Sequence, residues 1–171
     1  MSKTRSVGCY GGHVPDRPDP EREIWAHDAA LSLLLGQLIH TVERLPPGRR
    51  PVWWADHAED LRVQATVSDL YFDLTDGLDA HHHAEFARLL EEAAERLRQH
   101  GEVTPDDVAG WPVPVTFRGA DREDTEPVAE LGHAMAALIR GTLPEPPAGT
   151  LWFYGAPGGR STIVTTVPPS G

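Results

Sequence analysis

The chain has 171 residues, 40% of them apolar, enough to bury one core of ordinary size and too few for two. Its 26 Asp and Glu outweigh 15 Lys and Arg, and the net charge of −11 excludes a general nucleic-acid surface, which needs clustered cations, and an anionic membrane surface. Cys9 is the only cysteine, which excludes an internal disulfide and a multi-cysteine zinc site and makes a reducing cytoplasm the default location.

Lys3 is the only lysine, and Ala, Gly and Pro are abundant, a bias typical of a GC-rich bacterial genome. The basic start Met1 to Arg5 is followed by Val7-Gly8-Cys9-Tyr10-Gly11-Gly12 instead of an apolar segment, so no signal peptide is read. The uncharged run Ala29 to Val42 falls short of the roughly 20 apolar residues of a membrane span.

In chain order, residues 1–18 hold Gly11-Gly12, Pro15 and Pro18 with no period of either kind and are expected to form a flexible N-terminal arm. One α+β domain is expected over 19–167, with a tail over 168–171. Asp19-Pro20 resembles an N-cap followed by proline at the first helical position. A helix from there to about Leu45 would place Ile24, Leu31, Leu34, Leu35, Leu38, Val42 and Leu45 on one side. Trp25, Ala29 and Leu33 widen that stripe, as in a helix packed on more than one face. Over Pro51 to Val67, Trp54, Ala58, Leu61 and Ala65 fit a helical stripe, whereas Leu61, Val63, Ala65 and Val67 alternate as in a strand; Pro51 near the start favours the helix.

The most legible stretch is Leu70 to Gly101. A short strand, Leu70 to Leu74, passes through the acidic turn Thr75-Asp76-Gly77-Leu78-Asp79 into a helix with Phe86, Leu89, Leu90, Ala93, Ala94 and Leu97 on its inner face. Asp79 is the expected N-cap, Arg96, Arg98 and His100 suit the negative end of the dipole, and Gly101 supplies the left-handed cap. Beyond it, Trp111 to Phe117 alternates as an edge strand, Arg118 to Asp124 reads as a charged loop, and a helix is expected from about Glu126 to Arg140. Leu151 to Tyr154 and Ser161 to Val167, joined by a Gly-rich turn, read as a hairpin. The expected fold is α+β: three to four helices on one face of a small, mostly antiparallel sheet with a C-terminal β-hairpin.

Two groups carry possible chemistry. Asp79, His81, His83 and Glu85, with His57 from elsewhere, are metal-ligating residue types. Successive helical residues point about 100° apart, so only one-turn pairs such as His81 with Glu85 or Asp79 with His83 could share an ion. The second group, Asp56-His57-Ala58-Glu59-Asp60 beside Trp53 and Trp54, offers carboxylates one turn apart next to aromatic anchors. A lone Cys9 beside Gly11-Gly12-His13 is read as inert, and Gly155 to Thr162 fails as a phosphate loop, because Tyr154 and Arg160 stand where glycine and lysine are needed.

The leading expectation is a non-catalytic binding module of the immunity-protein or adaptor kind, cytoplasmic and without a cofactor, for a basic protein partner. Its contacts would come from Trp53, Trp54, Asp56, Glu59 and Asp60 and from the exposed helix face Glu91, Glu92 and Glu95. Neither nucleic acid nor membrane is expected as a partner. The alternative is a small metal-dependent hydrolase holding a divalent ion on Asp79, His81, His83, Glu85 and His57.

Overall fold

The computed structural model describes residues 4–67, 70–117 and 122–165. Its elements are β1 (Thr4–Gly8), β2 (Glu23–His27), α1 (Asp28–Glu43), α2 (Trp54–Thr66), β3 (Tyr71–Asp73), α3 (His83–His100), β4 (Glu102–Val103), β5 (Glu123–Asp124), α4 (Glu126–Arg140), β6 (Thr150–Tyr154) and β7 (Ser161–Val164). The fold is α+β, and the main sheet has the order β3-β1-β2-β6-β7. It is mixed: β1 pairs with β2 and β6 with β7 antiparallel, whereas β1 with β3 and β2 with β6 are parallel. In that register Val7, Ile24, Ala26, Phe72 and Tyr154 project to the same side of the sheet, where they join the inner residues of the helices in one core. Among the described residues no helix is long and apolar enough to cross a membrane.

The arm expected over 1–18 is instead part of the sheet from Thr4 onward, as strand β1 between β3 and β2. Polar side chains kept this strand out of the apolar pattern, and each finds a distant partner. Arg5, only 2% exposed, donates to the Gln64 carbonyl (2.9 Å) and lies over the Phe72 ring, while Ser6 and Tyr10 donate to the buried Glu23 carboxylate (2.8 and 2.6 Å). The glycine loop is tied down as well, because the Asp73 carboxylate accepts from the amides of Tyr10 (3.1 Å) and Gly12 (2.7 Å).

The long first helix is shorter than expected. Glu23 to His27 is strand β2, and α1 begins where His27 Nδ1 accepts from the Ala29 amide (3.2 Å). The apolar residues of α1 are buried nearly all round, as the widened stripe indicated. The stretch 51–67 is helical over Trp54–Thr66, with Trp54, Ala58 and Leu61 inward.

The strand expected over Trp111 to Phe117 does not form. Pro112 and Pro114 remove donors that a ladder needs, and the Thr116 amide donates to Ser32 Oγ instead (3.0 Å) while Trp111 stacks on His40. Part of the expected charged loop, Glu123–Asp124, pairs with Glu102–Val103 as a second small sheet. Residues 118–121 and the end of the expected hairpin and tail, 166–171, lie outside the described residues.

Helices α3 and α4 pack closely against each other, and both touch α1. Gly132 lets them close on each other, since a Cβ there would stand 2.8 Å from Ala94 Cβ. Gly101 ends α3 at a positive φ of 82°, although its ψ of −63° lies outside the expected left-handed helical region, and α4 spans the predicted residues.

Candidate functional site

The two acidic groups, separate in the sequence, meet at one cleft. The first turns of α2 supply Trp53, Asp56, His57 and Asp60; the turn between β3 and α3 supplies Asp76, Gly77, Leu78, Asp79 and His82. The enclosed volume is about 380 Å³. Four carboxylates line it, and none of its lining residues is Lys, Arg, Ser, Thr or Cys.

Each wall is fixed by short-range hydrogen bonds. Gln64, one turn beyond Asp60, donates to Asp60 Oδ2 (2.9 Å) and to the Asp73 carbonyl (2.8 Å) and accepts from the Asp73 amide (2.7 Å), clamping α2 to β3. The facing turn closes through the Leu78 amide donating to the Thr75 carbonyl (3.1 Å), with Gly77 at a φ of 70° that a side chain would disfavour. Asp79 then caps a single 3-10 turn leading into α3, its carboxylate accepting from the His81 amide (3.3 Å) and meeting His81 Nδ1 (2.6 Å). That amide, and secondarily the His81 ring, holds the Asp79 carboxyl below its ordinary range.

At the rim, the Trp53 indole is held by a hydrogen bond from its Nε1 to Glu85 Oε1 (2.7 Å) and is stacked by His82, with ring centroids 5.8 Å apart. Trp53 is half-buried, whereas Trp54 is 3% exposed and belongs to the core, so a surface anchor at this point falls to Trp53 alone. His57 is 4% exposed and sits edge-on to the Phe86 ring at 4.6 Å. Neither of its ring nitrogens makes a hydrogen bond of ordinary geometry. Burial drives its pKa down to about 4, with the nearby His83 adding to the effect and a loosely placed Leu74 carbonyl and Asp73 opposing it. The imidazole is therefore neutral at pH 7. No carboxylate orients it, so a carboxylate-steered general base is not assembled here.

Asp60 is pushed above the ordinary carboxylate range by burial first, with the Asp76 and Asp73 charges in the same direction and the Gln64 amide against it. Carboxylates held this way gain from a cation between them, which relieves both the desolvation and the mutual repulsion.

The remaining candidates have other partners. Glu59 faces Arg62 (3.6 Å). On the outer face of α3, Glu91 pairs with Arg140, Glu92 with Arg88 and Arg96 (3.3 and 3.2 Å), and Glu95 with Arg98 and His133, the last at 2.7 Å. These pairs lower the pKa of Glu91 and Glu95, each chiefly through its hydrogen bond, to Arg140 and His133 respectively. Of the metal-ligating candidates, His81 is paired with Asp79, His83 Nε2 donates to the Leu78 carbonyl (3.2 Å), Glu85 accepts from Trp53, and His57 is buried in the wall of the cleft. Among the described residues no three His, Cys, Asp or Glu side chains converge on a point that would hold an ion. Burial of the Cys9 thiol, with the Asp73 charge next in effect, raises its pKa to about 12, so it stays protonated at neutral pH.

Asp76 and His82 line the cleft but are absent from the candidate residues that the sequence singles out. Asp76 stands beside the one glycine of its turn, and His82 is the member of the histidine run whose ring lies on Trp53. No protein-family model, curated protein or solved structure matches this chain.

Proposed function

We propose that the protein is a non-catalytic binding module for a basic protein partner, and that the cleft between α2 and the β3–α3 turn is where the partner docks. The observation that carries this reading is the convergence of Asp56, Asp60, Asp76 and Asp79 from two segments on one cleft with no cation in its walls and a fixed tryptophan at its rim. Four carboxylates in so small a space favour a guanidinium or ammonium group, and Trp53 adds flat apolar area that a cation can stack on. Aromatic anchors of this kind supply affinity that rim charges do not. The net charge of −11 draws a cationic partner in from a distance, an effect screened beyond about 8 Å at physiological salt.

The acidic face of α3 has a smaller part in this reading than the cleft, because Glu91, Glu92 and Glu95 already share their charge with arginines of the same chain. That difference provides the test. A partner captured on the immobilised protein is measured against two variants of equal net charge, Asp56→Asn/Asp60→Asn/Asp76→Asn and Glu91→Gln/Glu92→Gln/Glu95→Gln. The cleft variant should bind at least tenfold more weakly, about 1.4 kcal/mol, through faster dissociation, while the α3 variant loses only a few-fold, in association rate. Equal losses in the two would refute the assignment to the cleft.

A further inference from the structure

Trp53 and His82 line a second groove on their other side, and its charge is opposite. This groove encloses about 430 Å³ and carries Arg49, Arg50 and Arg88 over the apolar floor of Leu45 and Leu89. Its one carboxylate, Glu85, is occupied by the Trp53 indole N–H. Arg50 is held in place by the carbonyls of Leu45 (3.0 Å) and Glu43 (2.6 Å), Arg88 leans on Glu92 at 3.3 Å, and Arg49 makes no ion pair among the described residues. In a chain with only 15 cationic side chains, three in one groove beside four aspartates form a bipolar surface. The wall between the two halves is the Trp53–His82 stack, and next to it Val52 is 97% exposed.

A uniformly basic segment laid across this ridge would set its cations against Arg49 and Arg88, and like charges brought together at an interface repel. A segment carrying both signs meets no such penalty, and an aliphatic side chain between its charges would cover Val52. We propose that the docking segment of the partner is bipolar: an arginine or lysine enters the aspartate cleft, a small apolar residue lies on the Val52–Trp53 ridge, and a carboxylate reaches Arg49 and Arg88. This rests on the reading of the cleft as a cation site and adds the repulsive element that makes a docking surface selective.

The probes are acetylated, amidated peptides with one Arg and one Glu separated by one to four Ala or Leu residues, alongside versions with Gln or Lys in place of Glu. Binding to the full chain is followed by Trp fluorescence and amide chemical shifts. The best Arg/Glu peptide should bind at least fivefold more tightly than its Arg/Gln version and at least tenfold more tightly than its Arg/Lys version. Arg49→Gln/Arg88→Gln, two exposed positions, should abolish the preference for Glu while leaving the Arg/Gln affinity within twofold. Peptides with Gln or Lys that bind as well as those with Glu would overturn the bipolar proposal and leave the cation cleft standing. Failure of every Arg-containing peptide to bind, or binding indifferent to Asp56→Asn/Asp76→Asn, would overturn the cleft and the bipolar segment together. Sedimentation of the chain alone should show a monomer; a dimer dissolved by Arg49→Gln would assign the ridge to a second copy and contradict the proposal.

Discussion

Phe86→Ala should lower the stability of the protein by about 3 to 5 kcal/mol, the usual cost of emptying a buried phenylalanine site. Phe86 is fully buried, and it touches the site as well as the core, with its ring 4.6 Å from His57 and 6.0 Å from Trp53, both edge-on. Edge-to-face pairs add about 0.5 to 1.5 kcal/mol each to the area that is buried. Domains of this size have a total stability of about 5 to 15 kcal/mol, so the variant stands close to the unfolding threshold. Glu92→Ala is the comparison, since its exposed pairs with Arg88 and Arg96 are worth about 1 kcal/mol at most. In urea titrations the midpoint for Phe86→Ala should fall far below that for Glu92→Ala at unchanged slope. Similar midpoints for the two would mean that the faces of α3 are assigned wrongly.

The second large effect concerns pH. His57 has an ordinary pKa of 6.5 that burial holds down to about 4 in the folded protein. Between those values the unfolded chain takes up a proton that the folded chain refuses, so stability is lost as the pH falls from about 6.5 to about 4. The whole contribution is about 3 kcal/mol, fully present above the unfolded value and gone below the folded one. The variant His57→Phe isolates this contribution from that of every other titrating group. Stability of the variant, followed by denaturant midpoint from pH 7 to pH 4, should decline less than that of the wild type by about this amount. Parallel curves would show that His57 is solvated in the folded state.

How far the sequence reveals this molecule depends on where each residue finds its partner. Helices α3 and α4 are legible because their apolar residues recur every three or four positions and their ends carry glycine, signals contained within one segment. The alternation of Leu61, Val63, Ala65 and Val67, which argues for a strand, has no counterpart in packing, since Val63 and Val67 are each 50% exposed. Strand β1 is the opposite case. Thr4 to Gly8 has no apolar period, and what accommodates Arg5 and Ser6 as buried residues is Gln64 of α2 and Glu23 of β2, partners outside the strand itself. Strand β2 is hidden because Ile24 and Trp25 run into the stripe of α1 without a break, and the boundary is set by His27 capping the helix. The parallel pairings of β1 with β3 and β2 with β6 need crossovers that no local pattern announces.

The site divides along the same line. Trp53, Asp56 and Asp60 on one hand and Asp79 on the other are each conspicuous in the sequence. That they face each other depends on the Gln64 clamp to Asp73, and the opposite sign of the neighbouring groove depends on α1 ending against the start of α3. The exposed glutamates of α3 look as suitable as the cleft until Arg140 and His133 of α4, and Arg88, Arg96 and Arg98 of α3 itself, are placed beside them.

The cation cleft is tested most directly by amide and indole chemical-shift mapping of the full chain titrated with acetyl-arginine amide at low salt. Shifts should concentrate at Trp53 Nε1, at residues 56–60 and at residues 76–82, saturate with a single constant, and be lost in Asp56→Asn/Asp76→Asn. Shifts centred on Glu91, Glu92 and Glu95, or the same pattern in that variant, would contradict the assignment of partner binding to this cleft.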